Sequence, residues 1–218
     1  MLEEMKPDVV VLAAGGTPLI LQVPGVNRNN VFSGHDFLNL MSGIPLKKGA
    51  LLRLISPLAK YFAKPSIMRR LLGLNFPIKK RVAIIGGQFA GCELALALAE
   101  EGKEVTVIEE SERIGADIGR VTRWVELAML RKAGAKLETL SKVTEITDKG
   151  VKISREGSSY FLEVDTVLIA MGKGVEANTK LVQELEGKVP VLYPIGDCAD
   201  PGRIREAMAS GFNIGSKI

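Results

Sequence analysis

The stretch Val82-Ala83-Ile84-Ile85-Gly86-Gly87-Gln88-Phe89-Ala90-Gly91-Cys92-Glu93 decides the fold. An unbroken apolar run, Val82 to Ile85, stops at a glycine pair, and such a run reads as a strand buried on both faces. A third glycine, Gly91, opens a segment in which Leu94, Leu96, Ala97 and Leu98 supply packing and Gly102 supplies the stop, so Gly91 to Glu101 reads as a helix. The next residues, Glu104 to Glu109, read as a second strand. Strand, glycine turn, helix and strand make one βαβ unit.

In that context the glycines have separate duties. The first of a GxGxxG fingerprint permits the tight turn, the second lets a pyrophosphate approach the backbone, and the third lets the helix pack closely on the strand. Gly86 and Gly91 fill the first and third places, but Gln88 stands in the second. Its side chain either projects toward the pyrophosphate and takes its room, or swings aside and offers an amide donor. Gly86, Gly87, Gln88, Phe89, Ala90 and Gly91 form the candidate phosphate cradle, at the positive end of a helix dipole. Glu109 ends the next strand at about the spacing the fingerprint demands, roughly 20 residues on. With Glu110 beside it, Glu109 is the candidate ribose-binding end; a carboxylate there repels a 2′-phosphate and favours NADH over NADPH.

Outward from this centre, Val9 to Ala14 and Val167 to Met171 are two more apolar runs expected to be buried strands. A helix is expected from Ile118 to Lys132, followed by short strands at Lys136–Leu140, Lys142–Ile146, Val151–Ser154 and Tyr160–Glu163, the last few an antiparallel meander joined at Asp148-Lys149-Gly150 and Glu156-Gly157-Ser158. The fold class is therefore α/β, a Rossmann-like three-layer NAD(P)-binding domain carrying an antiparallel meander. The composition of the 218-residue chain, 46% hydrophobic and 25% charged, is that of a globular protein. Two cysteines, Cys92 and Cys198, make neither a CxxC pair nor a zinc spacing, and no apolar stretch reaches the roughly 20 residues of a membrane span. A cytoplasmic protein without a structural metal is the expectation.

The net charge of +4 is unevenly spread. Between Phe37 and Cys92 no residue is acidic, while Lys47, Lys48, Arg53, Lys60, Lys64, Arg69, Arg70, Lys79, Lys80 and Arg81 are basic. Leu51, Leu52, Leu54, Ile55, Leu58 and Phe62 predict a helix interrupted at Pro57, with a second from Pro65 to Gly73. The basic segment 43–78 reads as a solvated face or a seam; membrane-surface contact and capture of a phosphate-bearing substrate are the alternatives. The single histidine, His35, lies in a capping context after Ser33 and Gly34, and no residue in the chain has the setting of a catalytic acid, base or nucleophile.

Three further motifs carry a resemblance. Asp8-Val9-Val10-Val11-Leu12-Ala13-Ala14-Gly15-Gly16-Thr17-Pro18 resembles the strand and proline turn that precede the NAD module in flavoprotein reductases with two dinucleotide-binding domains. Val167 to Gly172 resembles the strand that follows it, and Tyr193-Pro194-Ile195-Gly196-Asp197-Cys198, continuing through Arg203 to Gly211, resembles their C-terminal flavin motif. Within that class the chain is similar to the NADH:flavin oxidoreductases related to 2,4-dienoyl-CoA reductase and 2-enoate reductase. The resemblance implies a partial FAD-type domain at 1–42 and again at 173–218, the basic helical insertion at 43–78, and an NAD(P)-binding domain at 79–172. It implies that Asp197 meets the flavin ribityl chain, with the amides near Glu206 and Ala207 facing the flavin, that Glu93 lies near the nicotinamide, and that Ala14, Gly15, Gly172 and Gly196 are further cofactor-binding residues. It also implies hydride passage from NADH to FAD, and a partner barrel with FMN and an iron–sulfur cluster that reduces an enoate or enoyl-CoA. The first FAD glycine turn would stand upstream of Met1, so the chain reads as a fragment inactive alone. The alternative is a non-catalytic module that holds ADP or supports assembly.

Without that first turn the chain is expected to purify colourless. Visible absorbance of the purified protein checks this, and stoichiometric FAD in the preparation would overturn it.

Overall fold

β-branched residues in short runs, broken by glycine turns, set the chain's elements, and the computed structural model describes them for residues 2–19, 21–33, 36, 75, 77–171 and 174–218. In chain order they are α1 (Leu2–Met5), β1 (Val9–Leu12), β2 (Thr17–Pro18), β3 (Val31–Ser33), β4 (Arg81–Ile85), α2 (Phe89–Glu100), β5 (Glu104–Ile108) and α3 (Arg120–Lys132). Then follow β6 (Lys136–Glu138), β7 (Ser141–Thr147), β8 (Gly150–Arg155), β9 (Ser158–Glu163), β10 (Thr166–Ile169), β11 (Val175–Glu176), α4 (Thr179–Leu185), β12 (Val191–Pro194), a 3-10 turn (Gly196–Cys198) and α5 (Ile204–Gly215). The chain forms two compact units, Leu21–Gly172 in one and Met1–Ile20 with Lys173–Ile218 in the other.

The continuous unit is built on a parallel sheet in the order β3-β10-β4-β5-β6. Alternation along each strand sorts its side chains between two layers. Val82 and Ile84 of β4, Val105 and Val107 of β5 and Leu168 of β10 pack with Cys92, Ala95 and Leu98 of α2 and Leu127 and Leu130 of α3. Ala83, Ile85, Ile108 and Val167 face the other way, onto Val143, Ile146, Val151 and Ile153 of the meander β7-β8-β9. Helices, sheet and meander are the three layers expected from the sequence. Glu156 and Gly157, both at positive φ, form the two-residue link between β8 and β9, the backbone of a type I′ turn that matches strand twist.

One boundary differs from the sequence reading. Residues 21–33, expected within the 1–42 piece, pack inside the continuous unit, where β3 is an outer strand paired with β10. The cause is long-range: Ile146 N–H donates to the Pro24 carbonyl, Arg28 Nε to the Ile146 carbonyl at 3.1 Å, and Asn30 Nδ2 to the Thr147 carbonyl at 2.9 Å. A Cβ on Gly25 would fall 1.9 Å from the Ile146 carbonyl oxygen, so only glycine allows this approach. The helices expected within 43–76, nearly all of that basic segment, and His35 lie outside the described residues.

In the discontinuous unit β1 and β12 form a parallel pair, Val9 opposite Val191, while β2 and β11 pair antiparallel. The run Val9–Leu12, expected to be buried on both faces, is half-buried with Val11 exposed, because among the described residues the pair has no further strand beside it. Cys198 is the one buried apolar residue described in this unit. Among the described residues no helix is long and apolar enough to cross a membrane.

Arg81 opens β4 by gripping Asp165, just before β10, through two guanidinium bonds of 3.1 and 2.8 Å and a backbone N–H bond of 3.1 Å. These hydrogen bonds hold the Asp165 carboxyl below its ordinary range. A depressed carboxylate contributes stability above its unfolded value and loses it as pH falls through the folded value, so the contribution is complete at neutral pH and is lost progressively as pH falls below about 4. Asp165→Asn is expected to lower the melting temperature at pH 7, with the gap closing as both forms are melted toward about pH 3.

Candidate functional site

Three close approaches shape the turn after β4. Gly86 adopts φ +107°, where a Cβ would lie 2.3 Å from the Ala170 carbonyl oxygen, and its N–H donates to the Ile108 carbonyl at 2.9 Å. A Cβ on Gly91 would lie 1.9 Å from the Gly86 carbonyl oxygen, so the first turn of α2 sits directly on the strand end. A Cβ on Gly87 would meet Ile114 Cδ1 at 2.6 Å. The first and third fingerprint glycines thus have the steric reasons the sequence assigns them, and Gly87 is needed for packing against the loop after β5.

The sequence-assigned acidic residues separate. Glu109, 7% exposed, accepts the Gly87 N–H at 2.7 Å on Oε2 and the Ser111 N–H at 2.9 Å on Oε1. Each oxygen keeps a further lone pair for a hydroxyl donor, so the carboxylate is oriented beside the turn without being saturated. Glu110 does not join it: exposed, it pairs with Lys142 Nζ at 2.7 Å, the start of the meander claiming it instead. Glu93 is exposed on the first turns of α2, next to the buried Cys92. Gly172 lies outside the described residues.

Gln88 swings aside. It is the N-cap of α2 in an extended conformation with no side-chain cap bond, and its Oε1 accepts the Asp117 N–H at 3.2 Å. Asp117 returns the contact, since its Oδ1 accepts the Phe89 N–H at 2.9 Å. The loop carrying Asp117 is fixed twice more, by Gly115 N–H to the Gly87 carbonyl at 2.6 Å and by Arg123 Nε to the Ile114 carbonyl at 2.6 Å. Phe89 and Ala90 are exposed. Sequence reasoning missed Asp117, Ile114 and Gly115. An aspartate just before an expected helix at Ile118 reads as that helix's own cap, whereas α3 starts at Arg120 behind Gly119 and the carboxylate serves α2.

Cys92 Sγ contacts the Gly87 carbonyl at 3.5 Å, and burial pushes its thiol up to about 11, the setting of a packing residue rather than a nucleophile. Both cysteines are buried and free.

In the discontinuous unit, the Ile195 N–H donates to the Leu12 carbonyl, and the parallel β1 and β12 end on the same side. Ala14 with Gly15 and Gly196 with Asp197 therefore leave the carboxyl ends of neighbouring strands, where open α/β sheets take ligands. Gly196, at φ +58°, stands against Ala207, the Cβ it lacks falling 3.6 Å from that of Ala207. Asp197 Oδ1 accepts the Gly202 N–H at 2.9 Å. The Ala207 N–H donates to the Arg203 carbonyl, and Glu206 reaches back to the Arg203 N–H at 3.0 Å, so Ala207's amide closes the helix rather than standing open. Arg205 beside Glu206 holds that carboxyl below its ordinary value.

The glycine approaches, the α2 N-terminus and the anchored Glu109 fit a dinucleotide, and comparison with known proteins agrees. The chain is 28% identical over 215 residues to an NADH oxidase of Thermoanaerobacter brockii, covering 98% of this chain and 28% of that protein. It is 24% identical over 220 residues to a cinnamate reductase of Clostridium sporogenes, covering 100% and 27%. Among solved structures it is similar to a 2-naphthoyl-CoA reductase complex, with a TM-score of 0.70, 28% identity, and coverage of 100% of this chain and 28% of that one. The chain thus spans little more than a quarter of the length of these relatives. The matching family model covers residues 2–211, and with it NAD(H) and FAD are the cofactors supported: this chain belongs to the pyridine nucleotide-disulphide oxidoreductase family.

Proposed function

We propose that the chain is the NADH-handling part of a flavin-dependent reductase that acts on an enoate or enoyl-CoA type acceptor, in the manner of the 2,4-dienoyl-CoA and 2-enoate reductases. The observation that carries the nucleotide reading is the turn itself: Gly86 and Gly91 bring a helix N-terminus onto a strand end, and Glu109 is gripped by the Gly87 and Ser111 amides at the adjacent strand end. When bound, a reduced nicotinamide supplies hydride and a flavin accepts it. The chain's own residues bind and orient: the amides of the α2 first turn face the pyrophosphate, and Glu109 accepts the ribose hydroxyls.

For the flavin we assign Ala14, Gly15, Gly196 and Asp197, with Glu206 shaping the start of α5. The units 1–20 with 173–218, and 21–172, would be the FAD-type and NAD-type parts. The acceptor class is supported by the cinnamate and naphthoyl-CoA reductases among the relatives. A partner barrel carrying FMN and an iron–sulfur cluster, and a cytoplasmic location, belong to the same reading. The rival, a module that holds ADP or serves only assembly, draws support from the occupied Phe89 amide.

Side-by-side calorimetric titration of the chain with NADH, NADPH and ADP is the test. NADH is expected to bind at least about tenfold more tightly than NADPH, because a 2′-phosphate beside Glu109 brings like charges together. Tighter NADPH binding would overturn the role of Glu109. Equal affinity for ADP and NADH would favour the rival.

A further inference from the structure

We propose that Asp117 is a built-in competitor for the coenzyme's pyrophosphate, its carboxylate lodged on the first amide of α2 and kept there by Gln88. The inference rests on the reading that the Gly86–Gly91 turn binds NADH. Phe89 is the first residue of α2, and its N–H is given to Asp117 Oδ1 at 2.9 Å. An N–H at a helix start prefers an anion, and carboxylate and phosphate oxygens compete for it as acceptors of one kind. One amide cannot serve both well, and a carboxylate left nearby repels the incoming phosphate.

The loop does not rest there by chance. Gln88 Oε1 accepts the Asp117 N–H at 3.2 Å, Gly115 N–H holds the Gly87 carbonyl at 2.6 Å, and Arg123 Nε holds the Ile114 carbonyl at 2.6 Å. Gln88 stands where the fingerprint has its second glycine, and glycine has no side chain with which to hold that amide. The odd residue of the fingerprint and the occupied amide are thus two ends of one clamp. Gln88 weakens coenzyme binding by anchoring a rival anion rather than by filling the phosphate's space. Binding then proceeds with release of Asp117 from Phe89, while the Gly115 and Arg123 contacts keep the rest of the loop in place.

The test uses the full chain and four forms: wild type, Asp117→Asn, Gln88→Gly and the double substitution, each titrated with NADH after a melt has shown it to be folded. Asparagine keeps the size and the acceptor oxygen of Asp117 but drops the charge. Asp117→Asn is expected to tighten NADH by about three- to thirtyfold, the range of a single charge at a helix end. It is also expected to lower the melting temperature without coenzyme, since the helix start loses its anion. The gain is expected to shrink in high salt, which screens the repulsion it relieves. Gln88→Gly is expected to tighten NADH as well, and the double form to gain no more than Asp117→Asn alone, because both changes open one clamp. Glu145→Gln, which removes an exposed carboxylate of the meander, is the control for net charge and is expected to leave NADH affinity unchanged.

Equal or weaker NADH binding by Asp117→Asn overturns the inference and leaves the nucleotide reading standing. Additive gains from the two substitutions also overturn it and return the effect of Gln88 to crowding. If none of the folded forms binds NADH, NADPH or ADP, the nucleotide reading itself fails, and the competitor with it.

Discussion

The approach of Gly91 to the Gly86 carbonyl governs this protein. A helix rarely sits so near the end of a strand, because any Cβ at position 91 would overlap the carbonyl oxygen. With hydrogen in that place, α2 lies low on the sheet and buries Cys92, Ala95 and Leu98 against Val82, Ile84 and Val105. Its axis is then set by packing, and the positive end of its dipole points over the strand end. Glu109 depends on the same arrangement, since the Gly87 amide it accepts is presented by the turn that the two glycines allow.

What the sequence makes legible here is what short-range pattern can encode. Val82 to Ile85, Gly86, Gly91 and Glu109 announce strand, turn, helix and strand because period and glycine spacing act over a few residues. The meander shows itself by alternation and by Gly150 and Gly157 at its turns. β3 is not legible: three residues, Val31–Ser33, form a strand only because β10 lies beside them, and Arg28 and Asn30 find their partners in β7 and the turn after it. Asp117 is missed for a similar reason, since its partner amide belongs to a helix distant in sequence. The fate of Glu110 turns on Lys142, a pairing 32 residues away in the same chain without local signature. At the candidate site, then, Glu109 and the turn are visible in the sequence, and the Asp117 contact over the turn is not.

The two units differ in how they satisfy their apolar residues. The unit from Leu21 to Gly172 covers both faces of its sheet and holds nearly the whole described core. The other unit leaves Ile204, Met208 and Phe212 exposed at successive turns of α5, with Val11 exposed on β1. A parallel pair ordinarily needs cover on both sides. The stability of the chain accordingly resides in the continuous unit.

The discontinuity of the smaller unit has a kinetic consequence. Pairing Val9 with Val191 closes a loop that runs through almost the whole chain, and the length-dependent entropy of such a closure is about 4–5 kcal/mol. Once the larger unit has formed, Val31 lies opposite Val167, and the effective loop shrinks to the two tails beyond that pair. The closure then costs about 1 kcal/mol less, before any gain from restricting the tails. The order of events on the folding pathway follows: nucleation among the local contacts of 81–169, then zipping of β1 onto β12, so that a strand preceding the larger unit is among the last to find its partner.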